Sequence, residues 1–248
     1  MVRTFCIANR KGGVGKTTTA VSLAAGLAKS GARVLLADLD PQCNATSGLG
    51  GEPQPKHPIA VGEPFADFLF QTNVPNLQLL PGCRSFASIE ALTQDNPEQT
   101  KRIHEQLQQE SEPYQFVLFD CPPSMGHLTQ LALSASTEVL IPIQCEFFAM
   151  EGLVQMIEVI KKIMDAKPEK LEFGGVLLTM YDAGLDLTYE VEEQVRDFFG
   201  EIVFKTVIPR DAAVSEAPSH GLPVFDYAPR SRGARAYTEL CMEILGDD

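Results

Sequence analysis

Ile7-Ala8-Asn9-Arg10-Lys11-Gly12-Gly13-Val14-Gly15-Lys16-Thr17-Thr18-Thr19 reads as the end of an apolar strand, a glycine-rich turn and the opening of a helix. Three glycines let successive backbone N–H groups converge on an anion without Cβ clashes. The helix that starts at Thr17 adds the positive end of its dipole at the same point. Lys16 is placed to reach β- and γ-phosphates, and the Thr17 hydroxyl to ligate Mg²⁺. The general phosphate-loop pattern G-x-x-x-x-G-K-[ST] is not met literally, because its first glycine falls on Arg10. Lys11-Gly12-Gly13-Val14-Gly15-Lys16-Thr17-Thr18 stands instead, with a second lysine at the start of the loop.

On either side, short apolar runs alternate with amphipathic stretches. Val2–Ala8, Val34–Asp38, Leu77–Leu80, Phe116–Asp120, Val139–Ile143, Gly175–Met180 and Ile202–Ile208 read as strands. They are nearly continuous in apolar residues, as parallel strands buried on both faces require. Thr17–Ser30, His127–Ser136, Met150–Lys162, Leu187–Phe199 and Ala234–Leu245 read as helices, with Gly31 as a C-cap glycine after the first. The alternation predicts an α/β fold: a single-domain P-loop NTPase over residues 1–248, its central, mostly parallel β-sheet flanked by helices on both faces. Residues 48–115 are less regular, with Pro53, Pro55, Pro58, Pro64 and the polar run Gln106–Glu112. They read as a solvated helical insertion.

Composition removes several classes. The chain is 44% hydrophobic, enough for a large core, so it is not disordered. No apolar stretch reaches the roughly 18 residues of a membrane span, and the N-terminal apolar run is too short for a signal peptide. Six scattered cysteines (6, 43, 83, 121, 145, 241) form no C-x-x-C or Cys/His spacing, which reads as a reduced, cytoplasmic protein. A net charge of −13 argues against nucleic-acid binding by the whole surface but leaves room for a local basic patch.

Asp38 and Asp40 close one strand and Asp120 closes another. Ligands of parallel α/β sheets bind beyond the carboxyl ends of strands, so all three are expected near the phosphates, although strand-end carboxylates also serve as simple caps. Asp120, after Phe116-Val117-Leu118-Phe119, fits a strand whose carboxylate holds Mg²⁺ through water.

These residues together resemble the deviant Walker A loop of the ParA/MinD family of P-loop ATPases. Further matches are Leu36-Ala37-Asp38-Leu39-Asp40-Pro41-Gln42, Leu118-Phe119-Asp120-Cys121-Pro122-Pro123-Ser124 and the stretch from Gln144 to Gly152. Thr179-Met180-Tyr181-Asp182, Val207-Ile208-Pro209-Arg210 and Ser215-Glu216-Ala217-Pro218-Ser219-His220-Gly221 complete the set, which is most similar to ParA/Soj-type partition ATPases. The resemblance implies ATP and Mg²⁺ as ligands and an ATP-sandwich homodimer. Lys11 would then be a signature lysine reaching the partner's phosphates, acting in trans as an arginine finger does. It implies that Gly12, Gly13, Val14, Gly15, Lys16, Thr17 and Thr18 cradle the phosphates. Asp40 would orient the attacking water, Asp38 would lie close to the Mg²⁺ shell, and Glu146 would touch the ribose across the dimer. Met180, Pro209, Arg210 and Asp211 would surround the adenine.

Relatives of this type bind nonspecific DNA as ATP dimers and are stimulated by a ParB-like partner, which implies a nucleoid-associated protein. Two positions where many of them carry arginine are Gly184 and Ala213 here. Between Lys205 and Arg235 five basic residues stand against three acidic ones, so Lys205, Arg230, Arg232 and Arg235 are the candidate DNA contacts. The C-terminal stretch Ala236–Asp248 contains no Lys or Arg, unlike the basic membrane helix of the MinD branch. Three functions follow from these features. One is a DNA-associated ATPase that partitions or positions a plasmid, chromosome or protein assembly. The others are a dethiobiotin-synthetase-like ligase using Lys11 in cis, and a nucleotide-gated dimer that binds only protein.

Overall fold

β1 (Arg3–Ile7) runs through the middle of an eight-stranded sheet, paired in parallel with β5 (Phe116–Asp120) on one side and β6 (Glu138–Gln144) on the other. The computed structural model describes residues 2–86, 93, 96–146, 149–166 and 171–246. Phe147 and Phe148 of the Gln144–Gly152 motif, and the terminal Asp247 and Asp248, lie outside the described residues. Beyond β5 come β2 (Val34–Asp38), β4 (Leu77–Leu80) and β3 (Phe70–Gln71), and beyond β6 come β7 (Glu172–Tyr181) and β8 (Val203–Pro209). Every pairing is parallel except that of β3 with β4. Two-residue β3 carries no readable alternation, which is why the sequence does not announce it.

The longer helices are α1 (Lys16–Lys29), α4 (Pro97–Ser111), α5 (His127–Ala135), α6 (Ala149–Ala166), α7 (Asp186–Phe199) and α10 (Arg232–Leu245). Short ones are α2 (Asn44–Gly48), α3 (Pro58–Val61), α8 (Ala212–Glu216) and α9 (Val224–Tyr227). Alternation along β1 sorts them onto two faces. Phe5 and Ile7 pack with Ala20, Leu23 and Leu27 of α1 and Tyr237 and Leu240 of α10. Cys6 and Ala8 face the other layer, where Leu107 of α4, Leu131 of α5, Met156 of α6 and Val195 of α7 are buried. Gly31 ends α1 at φ +99°, its N–H donating to Ala28 O (3.0 Å), a backbone shape that favours glycine. Residues 48–115 hold α3, β3, β4 and α4, and their Ile59, Phe65, Leu79, Leu80, Ile103 and Leu107 are core residues.

At the outer edge, the carboxylate of Glu243 on α10 accepts from the β8 amides of Lys205 (2.7 Å) and Thr206 (3.1 Å). The opposite edge is the two-residue β3.

His57 caps α3, its Nδ1 accepting from Ile59 N (3.4 Å), and its ring lies 4.8 Å from that of Phe86. It is fully buried and Nε2 has no hydrogen-bond partner among the described residues. Burial lowers its pKa to about 3. The unfolded chain therefore takes up a proton below about pH 6.5 that the folded chain refuses, so stability is full above that pH and falls as pH drops towards 3. From pH 6.5 to 5 the loss is about 2 kcal/mol. Urea unfolding across this range is expected to show His57→Asn, which keeps a capping acceptor but does not titrate, losing that much less than the wild type. Parallel pH slopes for the two proteins would contradict the assignment.

Candidate active site

Three strand ends meet at one height. Ile7 is in register with Asp120, and Asp120 with Asp38. The loop that leaves β1 is tied down at its entrance by Asn9, whose Nδ2 donates to Pro142 O (2.8 Å) and whose Oδ1 accepts from Lys11 N (3.0 Å). At its exit, the Thr179 hydroxyl lies within reach of Val14 O (2.9 Å) and Ile143 O (3.0 Å) and donates to one at a time. Gly13 (φ +76°) and Gly15 (φ +87°) are left-handed, which a side chain would strain. Nothing lies within 4 Å of where a Cβ on Gly12 or Gly13 would sit. Gly15 is the N-cap of α1 and offers no side-chain acceptor to the first-turn amides. That end is built for an anion.

The two loop lysines differ. Lys16 is 7% exposed, its Nζ donating to Lys11 O (3.0 Å). Burial lowers its pKa, opposed first by the charge of Asp120 and then by Asp40. Lys11 lies at the rim, its side chain 42% exposed and ion-paired with Glu146 of the same chain. The carboxylate expected to meet a ribose across a dimer thus neutralises Lys11 here.

The carboxylates divide as sharply. Neither oxygen of the fully buried Asp120 has a hydrogen-bond partner of ordinary geometry among the described residues. Burial, and then the charge of Asp38, hold its carboxyl well above the usual range, while the nearby Thr17 hydroxyl and Lys16 ammonium pull it down. Asp38 is equally buried but held by the protein: Oδ2 accepts from Thr46 N (2.8 Å) and Thr46 Oγ1 (2.6 Å), and Oδ1 from Asp40 N (3.2 Å). Burial raises its pKa to about 6 against those donors. Asp40 Oδ1 accepts from Gln42 N (2.8 Å), leaving Oδ2 without a bond among the described residues. Two orphaned carboxylate oxygens beside a threonine hydroxyl fit a hard divalent cation. No three His, Cys, Asp or Glu side chains converge on a self-sufficient metal cage among the described residues. A bound cation would therefore keep waters and phosphate oxygens, as Mg²⁺ does.

On the β7–β8 side, Arg210 N donates to Tyr181 O (2.9 Å), bringing Pro209–Asp211 against Met180, which is itself left-handed at φ +51°. Both oxygens of Asp211 are used internally, by Ala213 N (2.9 Å) and Gly233 N (2.8 Å). A cavity of about 410 Å³ opens beside Thr17 and Thr18, walled by α2 and the α8–α9 segment. Arg230, Arg232 and Arg235 are exposed around the start of α10. Lys205 is not with them: its backbone lies against Glu243, and about 16 Å of helix separates that residue from Arg232. Asn9, Thr46 and Thr179 escaped the sequence reading. Asn9, two residues before Lys11-Gly12, and Thr179, which opens the Thr179–Asp182 motif, carried a local signal; Thr46 carried none.

A family model described as an AAA domain matches residues 2–173. The chain is 44% identical to the sporulation initiation inhibitor protein Soj of Bacillus subtilis, over all of both chains. It is 41% identical to the chromosome partitioning protein ParA of Caulobacter vibrioides, over 98% of this chain and 94% of that one. Among solved structures it is similar to cobyrinic acid a,c-diamide synthase from Mycobacterium smegmatis with bound ATP analog and magnesium. The TM-score is 0.85 at 32% identity, covering 99% of this chain and 95% of that one.

Proposed function

The chain belongs to the ParA/MinD family of P-loop ATPases, most similar to its Soj/ParA partition members, and from that membership we propose an ATP-gated dimer that rides on nonspecific DNA to position a cargo. The observation that carries the reading is the contrast between buried Lys16 and rim-exposed Lys11 at one phosphate loop. A buried lysine serves the phosphates of its own subunit. A lysine at the rim can, once released from Glu146, face a second subunit, so hydrolysis and dimerisation become one event.

Gly12–Thr18 bind and orient the phosphates of ATP through backbone amides, and Lys16 sets its charge against them. Thr17 and Asp120 would hold Mg²⁺, which offsets charge on the phosphate oxygens when bound. Asp40, pinned at N, O and Oδ1, presents Oδ2 to a water. Met180 and Pro209–Asp211 would border the adenine. A ParB-like activator on the cargo would speed hydrolysis and release, which places the protein on the nucleoid in the cytoplasm.

Charge selects the DNA face. Asp186, Glu190, Glu193 and Asp197 are all exposed on one side of α7, directly after Gly184, and repel phosphate. The arginines at the start of α10 face solvent with fewer carboxylates beside them: exposed Glu239 follows Arg235 by one helical turn, and Asp226 is ion-paired with Lys29. If all six of a dimer each neutralise one phosphate, the log–log salt slope of retention is about −5. ATP-dependent retention of Asp40→Ala on duplex DNA is expected to show such a slope. Replacing Arg230, Arg232 and Arg235 by alanine together is expected to flatten it towards zero while ATP-driven dimerisation persists. Equal retention by that variant would place the contact elsewhere. A second reading, a ligase acting on a small carboxylate, draws on the name of the 32%-identical neighbour. ATP-dependent product formed by the protein alone would favour it.

A further inference from the structure

Asp38 accepts three hydrogen bonds from the protein, and the residue that supplies two of them lies eight positions on. Thr46 is fully buried in α2 and donates to Asp38 Oδ2 through both its amide (2.8 Å) and its hydroxyl (2.6 Å). The same hydroxyl accepts from Gly82 N (2.8 Å) in the loop after β4. Its carbonyl accepts from Gly51 N (2.9 Å). Thr46 thus joins three segments, and the chain of bonds ends on the amide of Asp40, which donates to Asp38 Oδ1 (3.2 Å). Gly82 sits so close that a Cβ there would come within 3.0 Å of Asp38 Cγ.

We propose that Thr46 is a positioning residue for ATP hydrolysis. Its hydroxyl locks Asp38, Asp38 locks the backbone of Asp40, and Asp40 Oδ2 is thereby held where a water is to be oriented. The inference rests on the role given to Asp40 above. Two observations favour this arrangement over Asp38 as a cation ligand. The oxygens of Asp38 accept three hydrogen bonds from the protein, whereas those of Asp120, in register across the β2–β5 pair, have no partner of ordinary geometry among the described residues. The link also runs through the loop after β4, so the outer half of the sheet helps to fix the hydrolytic residue. A misplacement of about 1 Å at such a residue costs on the order of 100-fold in rate.

The full-length protein tests this through three quantities measured separately: turnover at saturating Mg²⁺ and ATP, the dissociation constant for ATP, and the Mg²⁺ midpoint of turnover. Thr46→Val removes only the hydroxyl's bonds and keeps the shape. It is expected to lower turnover about 10- to 100-fold, with ATP affinity and the Mg²⁺ midpoint within about twofold of wild type. Thr46→Ser, which restores the hydroxyl, is expected to recover turnover to within a few-fold. Should the valine variant not fold, Thr46→Ala replaces it, since it keeps the amide bond to Asp38 and relieves any crowding. In an Asp40→Ala background the Thr46 change is expected to add no further loss. Wild-type turnover by Thr46→Val, failure of serine to rescue, a shifted Mg²⁺ midpoint, or additive losses with Asp40→Ala would each overturn the proposal. Wild-type turnover by Asp40→Ala alone would remove the role of Asp40 itself and the inference with it.

Discussion

Lys16→Ala is expected to abolish useful ATP binding, lowering affinity by at least about 100-fold, and this is the largest binding effect anticipated for any single side chain here. Lys16 is 7% exposed, so its ammonium is already stripped of most water, and its near neighbours are the carboxylates of Asp120 and Asp40. Charge-assisted bonds to phosphate in such a place are each worth about 1.5–3 kcal/mol, and an ammonium makes up to three. Truncation also leaves Asp40 and Asp120 without their interior cation, so the polyanionic triphosphate would approach uncompensated negative charge. Both effects have the same sign. Isothermal titration with ATP, with circular dichroism to confirm the fold, decides the matter; wild-type affinity would remove the loop from the phosphate site.

Asp40→Ala is expected to separate binding from chemistry. Asp40 Oδ2 is the oxygen left over after the loop has used Oδ1, N and O. Removing it takes nothing from the phosphate cradle, so ATP affinity should stay within a few-fold while turnover falls at least about 100-fold. The ATP-bound dimer should then accumulate, giving a species of about twice the mass on a sizing column with ATP and not with ADP. A variant that stays monomeric with ATP would contradict the sandwich dimer, and one that turns over normally would contradict the role of Asp40.

The strands were legible because parallel strands covered on both faces must be apolar throughout. Val34–Asp38, Leu77–Leu80 and Phe116–Asp120 were read to the residue, and each ends where a polar or turn residue stops the run. The short helices were not. Four or five residues make little more than one turn, too few for a period to show. The 15-residue α4 was read only as part of a helical insertion, although Asn96-Pro97 before it is a cap signal: Asn96 Oδ1 accepts from Gln99 N (3.1 Å). Around the site, the glycines and Lys16 announced themselves by spacing, and Asp38 and Asp120 by strand ends. What spacing did not reveal is which carboxylate the protein would satisfy itself. That depends on Cys43, left-handed at φ +54°, turning the chain so that Thr46 folds back onto Asp38. Nor does sequence proximity measure distance along a helix, so Lys205 and Arg235 read as one patch although α10 holds them at opposite ends.

Glu243 at the outer sheet edge bears on how copies behave when crowded. A protein gathered in numbers along one polymer meets its own kind at far higher concentration than in free solution. An open strand edge would then invite sheet-to-sheet zippering into insoluble aggregates. Here the amides of Lys205 and Thr206 are already answered by a carboxylate, and the opposite edge is two residues long, too short to template another strand. Sheet-to-sheet pairing is thereby disfavoured at both edges.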